Sequence, residues 1–262
     1  MITIKSAQDI EQMRVAGALS KMALRRVGAM VQPGVSTFEL DQLAEQIIRM
    51  HGGTPAFKGY GGFPGTICAS VNEAVVHGIP NPDVILRDGD IVSIDTGAIV
   101  DGWVGDNAWT FFCGTPAPEV KELCEVTLDC LKAGIEQAVP GNSIGDIGHA
   151  IQALAEQHGY GVVRGYTGHG VGRHMHEDPN VPNYGKCGKG TKLCSGMVLA
   201  IEPMITLGSP RVKQGRDGWL VTTRDHNPAA HYENTIAITD DGPVILTTDE
   251  QGSWCSMQGG VM

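Results

Sequence analysis

The segment Gly89-Asp90-Ile91-Val92-Ser93-Ile94-Asp95-Thr96-Gly97-Ala98-Ile99-Val100-Asp101-Gly102-Trp103-Val104-Gly105-Asp106-Asn107-Ala108-Trp109-Thr110-Phe111-Phe112 decides the reading of this chain. Asp101-Gly102 is a two-residue turn signal between apolar runs, so Ile91 to Phe112 reads as a β-hairpin. With that turn, opposed residue numbers sum to 203, and Asp95 faces Ala108. Asp106 lies two residues from Ala108, so Asp95 and Asp106 share one face as diagonal neighbours. Asp95 sits among Ile91, Val92, Ile94 and Ile99. A carboxylate buried there without a partner is costly, and two together repel. A divalent cation between them removes both problems, and a solvent-facing acidic edge is the alternative.

The start of the hairpin also belongs to a repeat. Gly89 to Asp95 aligns with Gly196-Met197-Val198-Leu199-Ala200-Ile201-Glu202: a glycine, an apolar strand, then a carboxylate, at an offset of 107 (95 to 202). Pro33-Gly34-Val35-Ser36 matches Pro140-Gly141-Asn142-Ser143 at the same offset of 107 (33 to 140). Each opens a stretch with helical apolar spacing, Thr37 to Met50 and Ile144 to Gln157. Both end in His-Gly, at His51-Gly52 and His158-Gly159, and glycine is the expected stop after a helix. Three gapless matches predict two related halves, roughly 15–115 and 120–247, around a pseudo-twofold axis. Asp95 and Glu202 then face a shared centre.

The second half contributes further polar groups. Glu202 follows an apolar strand and precedes Pro203, and Glu233 opens the strand Asn234 to Ile238. His169 stands in Thr167-Gly168-His169-Gly170-Val171-Gly172, where flanking glycines allow close backbone approach to a ligand. His176 begins His176-Glu177-Asp178-Pro179, and His77 lies in Val75-Val76-His77-Gly78-Ile79-Pro80. Taken singly, each glutamate reads as a hydrogen-bonded edge carboxylate and each histidine as a loop or core residue. His174 reads as an exposed neighbour, and His51 and His158 as helix ends. Together, four carboxylates and one histidine form an oxygen-rich donor set unlike a cysteine-rich structural zinc site. Such a set suits a pair of hard or borderline divalent ions, which hold a bridging water or hydroxide and polarise a carbonyl.

Composition narrows the classes. The 262 residues are 42% hydrophobic, which predicts a globular fold with a sizeable core. A net charge of −10 argues against nucleic acid as a direct partner. The apolar runs are strand-sized and broken by charges, and the first residues carry no signal-peptide core. Seven cysteines, an odd number with no Cys-x-x-Cys pair, read as reduced thiols in a cytosolic protein.

These motifs, in this order, resemble the type I methionine aminopeptidases of bacteria. Val76-His77-Gly78-Ile79-Pro80, Ile94-Asp95-Thr96-Gly97, Gly168-His169-Gly170-Val171-Gly172 and Ile201-Glu202-Pro203 carry the likeness, which runs from Lys5 to Thr247. The resemblance implies an α+β pita-bread fold of the creatinase/aminopeptidase kind, two pseudo-symmetric halves around a dinuclear metal site. It implies the five metal ligands Asp95, Asp106, His169, Glu202 and Glu233 for two divalent ions, cobalt, manganese, iron or zinc. In it Asp106 and Glu233 bridge both ions, Asp95 completes one shell, and His169 with Glu202 the other. Glu202, His176 and His77 carry the catalytic roles. His77 and His176 contact substrate, and Tyr60, Phe63, Cys68, Met175 and Trp219 form the methionine pocket. Position 175 departs from the pattern, since some relatives carry an aromatic there.

The implied activity is hydrolytic removal of the initiator methionine from nascent polypeptides with a small second residue, by a bridging hydroxide's attack on the scissile carbonyl. Transient association with the ribosome, a monomer, no membrane and a bacterial cytoplasmic location follow from the same resemblance. Residues 1–247 are expected to form one catalytic domain, and Thr248 to Met262 a flexible extension. Two other readings compete. A proline-specific peptidase of the same fold usually carries a large domain before the catalytic half, and too few residues precede Asp95 for it. A non-catalytic binding protein on this fold would have lost ligands, whereas all five positions are filled by competent residues.

Overall fold

The computed structural model describes residues 2–249 and 251–254. Four α-helices are found among them: α1 (Ala7–Gly28), α2 (Thr37–Met50), α3 (Pro118–Glu136) and α4 (Ile144–Gln157). The strands that build the site are β1 (Ile67–Val71), β2 (Ala74–Val76), β3 (Ile91–Val100), β4 (Trp103–Phe112), β5 (Gly168–Gly170), β6 (Glu177–Val181), β7 (Val198–Ile201), β8 (Val221–Thr223), β9 (Asn234–Thr239) and β10 (Gly242–Ile245). The chain has the pita-bread architecture.

In the first half, β3 pairs antiparallel with β1 and with β4. The β3–β4 register runs from Ile91 opposite Phe112 to Val100 opposite Trp103, with Asp95 opposite Ala108. Asp101 and Gly102 both take positive φ, 49° and 76°, as the two-residue hairpin turn requires. Helix α1 lies on this hairpin so closely that a Cβ on Gly105 would sit 2.3 Å from the Gly17 backbone nitrogen. In the second half, five antiparallel strands follow the order β10-β9-β7-β5-β6.

The offset of 107 holds in three dimensions. Bridges join Ser36 to Ile85 and Ser143 to Lys192, both pairs of positions 107 apart (36 to 143, 85 to 192). Gly34 and Gly141 take φ of 93° and 94°, and their amides donate to the carbonyls of Leu86 and Leu193. Both helices start alike. Glu39 accepts from the Ser36 amide at 2.8 Å, and Asp146 accepts from the Ser143 amide at 2.7 Å. At α2 the cap is reciprocal, since the Glu39 amide donates to the Ser36 hydroxyl at 3.2 Å, satisfying an orphan donor of the first turn, worth about 1 kcal/mol.

Ile94 and Trp109 share the main hydrophobic core with Ile147 and Ile151 of α4 and Leu199 and Ile201 of β7, so one core spans both halves. Ile94→Ala would remove fully buried volume at its centre, a loss of about 2–5 kcal/mol. The halves are stitched along a polar seam. Thr235 Oγ1 donates to the Asp106 carbonyl at 2.7 Å, and the Glu233 amide donates to the Ala108 carbonyl at 2.9 Å. Residues 251–254 turn back against α1: Arg25 pairs with Asp249 at 3.2 Å, and Lys21 donates to the Trp254 carbonyl. Glu250 and 255–262 of the expected extension, with Cys255, lie outside the described residues. No described helix is long and apolar enough to cross a membrane.

Candidate metal centre

The seam places the candidate donors. Asp95 projects from β3 and Asp106 from β4, Glu202 follows β7, Glu233 precedes β9, and His169 occupies the middle of β5. Asp106, His169 and Glu233 are buried, and a donor atom from each lies within 4.8 Å of the other two. His169 Nε2 is 3.7 Å from Asp106 Oδ2 and 3.6 Å from Glu202 Oε1. Those gaps are too long for hydrogen bonds, yet they suit donors sharing a cation at roughly 2.0–2.2 Å.

The electrostatics point the same way. Burial pushes Asp106 up to about 7, against the Asn107 amide and a hydrogen bond with Asp95 that hold it down. Asp95 is raised well above the usual carboxylate range, first by burial and then by the charges of Asp106 and Glu202. Glu202 and Glu233 are raised well above it too, by burial first and next by Asp106. Asp95 and Glu202 keep a little exposed area, but the surface they line is a narrow cavity, so desolvation dominates. Asp95 Oδ1, Asp106 Oδ1 and Glu233 Oε1 are buried without a hydrogen-bond partner. Clustered, desolvated carboxylates must either take up protons or hold positive charge among them.

His169 is prepared as a neutral donor. Burial, then the proximity of His176, lowers it to about 4. Its Nδ1 lies 2.9 Å from the Gly170 carbonyl, so Nδ1 carries the proton and Nε2 turns its lone pair to the carboxylates. The flanking glycines serve the sheet. A Cβ on Gly168 would meet the Ala200 carbonyl at 2.3 Å, and one on Gly170 the Asp178 carbonyl at 2.2 Å. Strand packing, rather than approach to a ligand, requires them.

A cavity of about 160 Å³ opens onto this cluster. It is lined by Phe57, Tyr60, Phe63, Cys68, His77, Asp95, Asp106, His169, Met175, His176, Glu202, Trp219 and Glu233. Every site residue expected from the sequence is among them. Phe57 was missed, since one aromatic in a loop carries no local signal. Phe63 stands edge-on to Trp219, with ring centroids 5.1 Å apart. Cys68, held by β1 opposite Asp95, is buried, and its thiol is raised well above its ordinary value by burial and then by the charge of Asp95. His77 takes φ of 60°, rare outside glycine, and its ring packs edge-on against Trp219 and Tyr166. His176 stands exposed at the mouth, its ring 4.2 Å from that of His169 and its Nδ1 2.9 Å from the Tyr60 hydroxyl. His174 points to solvent, and the six described cysteines are free.

His231 was not singled out in the sequence. It is buried behind Glu202, with Nε2 3.6 Å from Glu202 Oε2, and burial followed by the proximity of His77 lowers it to about 3. Its place two residues before Glu233 was the only available signal. A larger hollow of about 380 Å³ against α1, lined by Arg25, Arg26 and Asp249 among others, lacks a comparable donor set.

The sequence profile of metallopeptidase family M24 matches residues 11–240. The chain belongs to metallopeptidase family M24. Within M24, the chain is 52% identical over 250 residues to a methionine aminopeptidase of Clostridium acetobutylicum, covering 95% of this chain and 100% of that one. The crystal structure of methionine aminopeptidase from Rickettsia prowazekii superposes with a TM-score of 0.93 at 46% identity, covering 94% of this chain and 100% of that one. The prolidase from Pyrococcus horikoshii is more distant. It is 27% identical with a TM-score of 0.77, and the match covers 94% of this chain but 64% of the prolidase.

Proposed function

We infer that this protein is a methionine aminopeptidase, a metal-dependent hydrolase that removes an N-terminal methionine. One observation carries the reading: a single cavity joins a five-donor cluster to an apolar, sulfur-containing pocket. Asp95, Asp106, His169, Glu202 and Glu233 would hold two divalent ions. When bound, the ions supply Lewis-acid polarisation of the scissile carbonyl and a water nucleophile available near neutral pH.

The residues of this chain do the rest. Phe63, Cys68, Met175 and Trp219 wall a slot whose sulfur and aromatic surfaces suit an unbranched thioether. With the Tyr60 hydroxyl donating to Nδ1, the neutral His176 ring keeps its proton on Nε2 and offers it to the scissile amide oxygen. His77, also in the cavity lining, contacts the peptide beyond the scissile bond. Glu202, beside the place of that water, takes its proton and returns it to the leaving amine. Cys68 remains a protonated wall residue and not a nucleophile.

The test is a peptide panel with Mn²⁺- or Co²⁺-loaded enzyme. Met-Ala and Met-Gly peptides should release methionine, while Met-Lys and Met-Phe should not. Cleavage only before proline would replace this reading with a prolidase-like one, and no turnover with metal bound would leave a binding protein. Metal analysis after anaerobic purification identifies the ion used in the cell.

A further inference from the structure

The segment that carries His176 is tied down at both ends. At its start, the Arg173 guanidinium lies 3.9 Å over the Trp103 ring and donates to the Asp101 carbonyl at 2.8 Å. At its end, Glu177 turns away from the cavity. Its Oε2 accepts from Lys5 Nζ at 2.8 Å and from the Thr3 hydroxyl, and its Oε1 accepts from the His174 amide at 3.2 Å. The Lys5 and Glu177 side chains are only 4% and 8% exposed. Lys5 is itself fixed, because its amide donates to the Gly196 carbonyl at 2.8 Å, just before β7 leads to Glu202. A Cβ on Gly172 would fall 2.3 Å from Glu177 Oε1, so glycine leaves the space this carboxylate fills.

Nothing in the proposed chemistry uses this pair. Exposed ion pairs contribute little, and a shielded one with three donors on a single carboxylate restricts geometry far more. Between the two ties lie Met175, in the pocket wall, and His176, whose ring meets the Tyr60 hydroxyl and lies against the His169 ring.

We propose that Lys5 and Glu177 are positioning residues that hold the His174–His176 turn so that His176 faces the scissile amide. The N-terminal segment thereby acts on the reaction from outside the cavity. The proposal rests on the role given above to His176. It has a clear requirement: loss of the pair must matter through His176 and not through overall stability.

The test compares the unsubstituted protein with five variants, all loaded with Mn²⁺ and assayed on a Met-Ala peptide: Lys5→Met, Lys5→Met/Glu177→Gln, Lys5→Arg, His176→Ala and Lys5→Met/His176→Ala. The Gln-containing variant leaves no unpaired buried charge, which guards against simple misfolding. A misplacement of the order of 1 Å lowers rate about 100-fold, so kcat should fall about 10- to 100-fold in the first two variants, with metal content unchanged. KM should move less than kcat, and Lys5→Arg should restore most of the rate. In the His176→Ala background, Lys5→Met should lower kcat further by less than about 3-fold, because residues acting through one group are not additive. Unchanged kcat in the folded Lys5→Met/Glu177→Gln protein would overturn the proposal, as would an equal loss in both backgrounds. Full kcat in His176→Ala alone would instead remove the role of His176, a failure this design separates from the first.

Discussion

Replacing Asp106 with Asn should make the metal-free protein more stable at pH 8 while abolishing its response to metal. Burial moves Asp106 from 3.8 to about 7. That is about 3 pH units, or about 4 kcal/mol between its two protonation states. The sign follows from linkage. A carboxyl raised on folding favours the native state fully below its unfolded value near 3.8, and that advantage is lost as pH rises through about 7. At pH 8 the metal-free native state therefore carries nearly the whole penalty, which Asn lacks. The Asn amide brings its own unmet hydrogen bonds, about 1–3 kcal/mol, so the net gain should be about 1–3 kcal/mol. For a chain of this size, that is a Tm rise of roughly 3–10 °C. The assay is thermal unfolding after chelation at pH 5 and pH 8, repeated with added Mn²⁺ and paired with metal analysis. The gain should vanish or reverse at pH 5, and added metal should stabilise only the unsubstituted protein. An Asp106→Asn protein less stable at pH 8 without metal, or one still stabilised by metal, would refute the reasoning.

Other outcomes can be checked beside it. His176→Ala should lower kcat about 100- to 1,000-fold with both ions retained, as for loss of one transition-state donor; undiminished kcat would contradict the role given to it. Cys68→Ser should keep substantial kcat with full metal, and an inactive, fully loaded protein would restore the thiol as a nucleophile. Burial opposes charge on Glu177, but hydrogen bonds from Lys5, Thr3 and the His174 amide outweigh it and hold the carboxylate down to about 2. Its stabilisation is present above the unfolded value near 4.5 and lost as pH falls from there through about 2. After allowance for solvent screening this is about 1–3 kcal/mol, so Glu177→Gln should flatten the acid side of the stability curve.

The sequence was legible where local rules act alone. The Asp101-Gly102 turn set the hairpin register, and period-two alternation then put Asp95 and Asp106 on one face. The repeat located α2 and α4 to the residue, because their caps and His-Gly ends lie in the same sequence positions. What stayed hidden depends on distant contacts. His231 stands behind Glu202 because its strand, Ala229–His231, pairs antiparallel with Met204–Thr206 just beyond Glu202, with His231 opposite Met204. Lys5 reaches Glu177 across 172 residues, and no period or motif marks such a pair. The glycines beside His169 were seen, but their cause, close passage of neighbouring strands, appears only in three dimensions.

The division of the donors between the halves has a consequence for synthesis. Asp95 and Asp106 are made early, whereas Glu233 follows Asp106 by 127 residues (233 − 106). At ribosomal rates of about 5–20 residues per second, the wait is roughly 6–25 s. Throughout it the first hairpin has two carboxylates on one face and lacks the partners that would complete a cation site. An emerging chain therefore cannot acquire its full complement of ions before it is nearly finished. The nascent hairpin should remain loosely closed, with its amides open to hydrogen exchange, until the last strands arrive and the seam shuts.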